Sequence, residues 1–135
     1  MERIAPKALA VALALCFPAL LSFSAQAPPQ PLSLPLACAG RDCPLLEGAP
    51  QTAGMRSGFV RLKPGESVGW HTTGKNEETL VILRGGGEAR IEGQPARPFR
   101  APRLVYFPAA TRHNVVNTGA RLLEYVYVVA PAGGR

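Results

Sequence analysis

No segment of this 135-residue chain keeps a helical period for three turns, which excludes a helical bundle. No run of basic residues is interleaved with aromatics, although 15 Lys and Arg against nine Asp and Glu give a formal charge of +6. A nucleic-acid surface is therefore not expected. No serine stands in a Gly-x-Ser-x-Gly context, so a hydrolase triad is not expected either. Aromatic residues are few, at 7%, and there are only two histidines and three cysteines, none of them in a Cys-x-x-Cys pair. The length suits one domain and not two. What the chain has in quantity is Gly and Pro, 14 of each, set among 47% hydrophobic residues. That mixture suits short strands joined by tight turns.

The N-terminus has its own pattern. Arg3 and Lys7 precede an apolar run from Ala8 to Phe23, and Ala25-Gln26-Ala27 supplies small residues where a signal peptidase reads. The run is shorter than the ~20 residues that span a bilayer, and Pro18 interrupts it. Residues 1–27 are expected to be a cleaved secretory signal, cut after Ala27, placing the mature protein in the periplasm or outside the cell with no transmembrane segment. Cys16 does not fit a lipid-attachment site, because Leu15 before it is too bulky. Cys38 lies too far from the apolar run.

Cleavage would leave Cys38 and Cys43, with four residues between them. In an oxidising compartment an even pair this close reads first as a disulfide. A metal site or a redox pair would need partners or a spacing that the chain lacks. Residues 28–56, rich in Pro, Leu and Ala without a strand or helix period, are expected to form an extended arm carrying this loop. From there to residue 131 the pattern becomes strands: Phe59–Leu62, Ser67–Thr73, Glu78–Arg84, Glu88–Ile91, Leu104–Phe107, His113–Val116 and Leu122–Val129. Gly85-Gly86-Gly87, with no helix after it, reads as a hairpin turn. Strands this short and turns this regular predict an all-β fold, a small double-sheet barrel or jelly roll.

Two segments carry the candidate chemistry. In the first, Gly65, His71, Thr73, Glu78 and Gly85 stand at intervals of six, two, five and seven residues. The two-residue period of a strand puts His71 and Thr73 on one side and Trp70 on the other. Glu78 leads a row continued by apolar Leu80 and Ile82, so it faces inward and Glu77 faces solvent. In the second, Pro108, Ala110, His113 and Asn117 follow one another across a strand start.

These segments resemble the two motifs of the cupin family, and the resemblance runs from about Phe59 to Val129. It implies a small β-barrel that commonly holds one divalent metal, with His71, Glu78 and His113 on ligand positions. Thr73 stands where most metal-binding members have a second histidine, and would line the pocket instead. Ala110 stands where the second motif usually has glycine. Two histidines and one carboxylate can still hold iron, manganese, zinc or nickel with open positions. Together with the expected secretory signal, the resemblance implies an exported protein that binds a divalent metal and a small-molecule ligand in its barrel, as a metal-dependent oxygenase or isomerase. The alternative is a non-catalytic module for a sugar or a phenolic, with a degenerate metal site. A homodimer is a further expectation. Asn117 is expected to stabilise a turn, and Tyr125 and Tyr127 to share a face of the last strand.

Overall fold

The computed structural model describes residues 27–133. The expected signal segment, residues 1–27, lies outside the described residues except for Ala27 itself. Among the described residues every regular element is a strand: β1 (Asp42–Glu47), β2 (Arg56–Leu62), β3 (Asn76–Arg84), β4 (Gly86–Ile91), β5 (Arg97–Arg100), β6 (Arg103–Phe107), β7 (His113–Val116) and β8 (Leu123–Pro131). No helix among these residues is long and apolar enough to cross a membrane.

The strands form a five-stranded sheet in the order β1-β2-β8-β3-β6 and a three-stranded sheet in the order β5-β4-β7. All pairings are antiparallel. Alternation decides the inner face. Val60 and Leu62 of β2, Leu80 and Ile82 of β3, and Leu123 and Tyr125 of β8 are buried, at 2% exposure or less. Phe107 of β6 extends this face, and Val115 of β7 closes the core from the three-stranded sheet. Aligned residues form rows across the sheet, such as Asp42–Val60–Tyr125–Ile82. The expected double-sheet barrel is the observed fold.

Three details differ from the sequence expectation. The Gly85-Gly86-Gly87 run is not a hairpin, because β3 and β4 do not pair with each other; the chain crosses there from one sheet to the other. Glycine is needed for the crossing: Gly85 has φ 78°, and side chains at Gly85 and Gly87 would collide with the backbone of Leu122 and Val116. Part of the expected arm is a strand. Residues 27–41 carry no strand, but β1 pairs along the edge of β2 with a bulge between Pro44 and Leu46. Proline and a bulge are tolerated at a sheet edge, and both hide the two-residue period. The expected strand over Ser67–Thr73 is reduced to two bridges, Ser67 to Val116 and His71 to His113. Four steps on one side face three on the other, so this stretch carries a β-bulge. Gly69, with φ 90°, sits inside it, and its N–H donates to Asn114 Oδ1 at 3.0 Å.

Candidate metal centre

The bulge beside β7 brings the two histidines face to face. His71 N–H donates to His113 O and His113 N–H donates to His71 O, both at 2.9 Å. Their rings meet edge to face with centroids 4.4 Å apart. His113, with no exposed surface, is stacked on Phe107 at 3.8 Å and nearly parallel to it. Phe107 pairs with Glu78 across β6 and β3, so the wall that holds His113 also places the carboxylate.

Hydrogen bonding sets the tautomers. His71 Nδ1 lies 2.9 Å from the Gly69 carbonyl, and His113 Nδ1 lies 3.0 Å from the Thr111 carbonyl. A carbonyl oxygen only accepts, so each Nδ1 carries the proton, and each neutral ring turns the lone pair of Nε2 inward. Carbonyl acceptors of this kind orient histidine ligands in metal sites. Glu78 Oε2 sits 3.1 Å from His113 Nε2 and 3.8 Å from His71 Nε2. Both Glu78 Oε2 and His113 Nε2 are buried without a hydrogen-bond partner. Two acceptors facing each other in a buried site call for a proton or a cation between them. The ligand atoms of His71, Glu78 and His113 lie within 4.8 Å of one another, so the set can hold one metal ion.

The local electrostatics agree with a site that attracts positive charge. The neighbouring Glu78 carboxylate is the main cause of a raised His71 pKa, with burial working against it. Burial pushes Glu78 up, but the interactions that His113 and His71 offer the carboxylate when their rings carry a second proton together outweigh it and leave the carboxyl below its ordinary value. His71 marks the open side of the site: its side chain is 39% exposed, against 7% for Glu78.

A cavity of about 430 Å³ opens on that side, lined by His71, Thr73 and Glu78 among others. Thr73 reaches the cavity, but its hydroxyl donates to Asn76 O at 2.7 Å and so stays with the turn. Glu77 faces out and accepts from the Tyr106 hydroxyl at 2.8 Å. Trp70 is exposed, with the Arg112 guanidinium 5.6 Å from its ring centre. Asn117 is fully buried and stabilises its turn, donating to Leu62 O and Arg121 O and accepting from Gly119 N. Cys38 and Cys43 form a disulfide at the start of β1.

The sequence reading missed what β1 brings. Asp42, Pro44 and Leu46 line the cavity, as do Tyr125 and Tyr127 of β8. The shared face of the two tyrosines was readable from their spacing. The role of Asp42 was not, because nothing before β2 alternates cleanly.

A family model described as Cupin domain matches residues 58–129. Polyketide synthase CurC of Streptomyces cyaneus is 31% identical over 85 residues, covering 61% of this chain and 54% of that protein. Tetracenomycin polyketide synthase protein TcmJ of Streptomyces glaucescens is 29% identical over 89 residues, covering 64% and 59%. The chain therefore spans between half and two thirds of the length of these curated relatives. Among solved structures, a Cupin 2 conserved barrel domain protein of Salinispora arenicola is similar with a TM-score of 0.59 and 28% identity, over 76% of this chain and 87% of that one.

Proposed function

The chain belongs to the cupin family, and on that premise we propose that it is an exported protein that binds one divalent metal ion and a small organic molecule in its barrel. One observation carries the reading. Two buried acceptors, Glu78 Oε2 and His113 Nε2, converge without a donor between them, while backbone carbonyls hold the Nδ1 protons of both histidines away from that point. His71, Glu78 and His113 would hold the ion, which could be iron, manganese, zinc or nickel. When bound, such an ion supplies Lewis acidity or redox chemistry toward a ligand oxygen. The chain's own residues do the rest. Val60, Val68, Val115 and Val129 give the cavity apolar walls that exclude water from one side of a ligand. His71 stands at the opening, where a ligand would meet the site first.

Metal-dependent oxygenase or isomerase activity is the form of this reading that the two-histidine, one-carboxylate set favours, since it leaves positions open. The names of the curated relatives, components of polyketide synthesis, support a small organic ligand. A second reading, a binding module without catalysis, is favoured by Thr73, whose hydroxyl is engaged by the Asn76 carbonyl.

The test is metal analysis of the native protein followed by zinc titration of wild type and His113→Ala. One equivalent of metal, bound tightly by wild type and weakly by the variant, is expected. Equal binding by both would place the ligands elsewhere. Export is tested by the intact mass of the protein from its native compartment. An N-terminus at Pro28 is expected, and a retained leader would refute it.

A further inference from the structure

Glycine in the middle of a barrel strand weakens it unless something needs the space. Gly58 of β2 is such a residue, on the inner face and opposite Tyr127 of β8. A Cβ at Gly58 would stand 2.5 Å from Cε1, Cζ and the hydroxyl oxygen of Tyr127. The tyrosine ring therefore reaches across from β8 and lays its phenolic end over β2. Beyond Gly58 in the same row comes Pro44 of β1, and two positions from Pro44 on the same face stands Asp42. Tyr127, Asp42 and Pro44 all line the cavity that contains His71 and Glu78. Among the described residues, neither the Tyr127 hydroxyl nor the Asp42 carboxylate makes a side-chain hydrogen bond or ion pair.

Asp42 is held where it is. The Cys38–Cys43 disulfide closes the loop just before it. Arg61 N–H donates to Arg41 O at 2.7 Å, and Arg61 Nη1 donates to Cys38 O at 3.0 Å. Arg41 Nη1 donates in turn to Ser67 O at 3.2 Å, on the bulged stretch that leads to His71. Four links thus fix a carboxylate that lines the cavity, on the same sheet face as a phenol that a glycine has made room for.

We propose that Tyr127 and Asp42 form a polar subsite in this cavity that takes the hydroxyl group of a phenol or hydroxylated aromatic acid whose other end reaches the His71–Glu78–His113 point. The ligand O–H donates to the Asp42 carboxylate, and the Tyr127 O–H donates to the ligand oxygen. The apolar walls at Val60, Val68 and Val129 accept the ring between the two ends. Burial, followed by the charge of Asp42, holds the Tyr127 hydroxyl above its ordinary pKa, so it remains a donor at neutral pH. The proposal rests on reading this cavity as the ligand site.

The probes are benzoate and 4-hydroxybenzoate, which differ only in the hydroxyl, titrated by calorimetry into the zinc-loaded full chain. Wild type is expected to bind 4-hydroxybenzoate about tenfold more tightly than benzoate, the worth of one or two well-placed hydrogen bonds. Tyr127→Phe and Asp42→Asn should each bring that ratio toward one, with zinc affinity unchanged. Gly58→Ala should do the same by displacing the ring, and Tyr127→Phe keeps the test open if that variant does not fold. A ratio of one in wild type, a ratio that survives both substitutions, or no binding of 4-hydroxybenzoate would overturn the subsite. Zinc affinity is measured separately: a tenfold ratio without zinc binding would support the subsite and overturn the metal reading alone.

Discussion

Glu78→Gln changes one atom at the centre of the site, and the geometry makes its effect reverse with pH. In metal-free protein with both imidazoles neutral, Glu78 Oε2 and His113 Nε2 oppose each other at 3.1 Å as two acceptors. An amide puts an N–H donor in that gap. An unsatisfied buried acceptor costs about 1–3 kcal/mol. Relief of the pair should therefore stabilise the variant by about 1 kcal/mol, or roughly 4–8 °C in Tm for a domain of this size. At lower pH the wild type has an advantage that the variant lacks. His71 has a raised pKa, chiefly through Glu78. Its contribution is complete below the ordinary histidine value near ~6.5 and is lost as pH rises through the folded value. Glu78 has a lowered pKa, the histidines outweighing burial. Its contribution is present above the ordinary carboxylate value near ~4.3 and is lost as pH falls through the folded value. The imidazolium–carboxylate pairing thus stabilises wild type between ~pH 4.5 and ~pH 6.5. Thermal unfolding in the presence of a chelator should show Glu78→Gln less stable than wild type at about pH 5.5 and more stable at about pH 8.5. Zinc should raise the Tm of wild type and leave that of the variant in place, because the charged ligand is gone. Equal destabilisation of the variant at both pH values, with zinc still raising its Tm, would refute the reasoning.

Thr73→His should supply a further imidazole at the cavity wall and tighten zinc binding by at least about tenfold in calorimetry; a folded variant with unchanged affinity would show that position 73 does not reach the metal point. Cys38 and Cys43 should resist thiol labelling until reduced, and Cys43→Ser should cost about 2 kcal/mol in denaturant unfolding, the loop being short. Immediate labelling of protein from an oxidising compartment would refute the bond. Ala110 holds φ 60°, a left-handed conformation that costs an alanine about 1–2 kcal/mol. Allowing for the greater freedom of glycine in the unfolded chain, Ala110→Gly should stabilise by about 0.5–1 kcal/mol in the same assay; a loss of stability would show that the methyl group packs usefully.

The local sequence determined a good deal of this protein. Turn residues at short intervals and alternation in Glu78–Arg84 and Leu122–Val129 specify strands and their inner faces, because a strand's period is a property of the backbone itself. The inward direction of Glu78 and the outward direction of Glu77 followed from Leu80 and Ile82 alone. Alternation set Glu78 near His71, and the resemblance of the two motifs to those of cupins joined His113 to them as one site. Tertiary structure decided the rest. Gly85–Gly87 could have been a hairpin or a crossing, and only the pairing of β4 with β5 and β7 made it a crossing. Thr73 shares a side with His71, yet its hydroxyl turned to the Asn76 carbonyl, a choice between acceptors that spacing does not encode. The proton on each Nδ1 depends on carbonyls positioned by the bulge and by the turn before β7. Asp42 lies far from the barrel motifs in sequence and carries no period, so its place at the cavity came from edge pairing with β2 and from the disulfide beside it. Periodicity reports which way a side chain points along its own strand; which groups meet across the barrel depends on register between strands distant in the chain, and that is set only when the whole sheet closes.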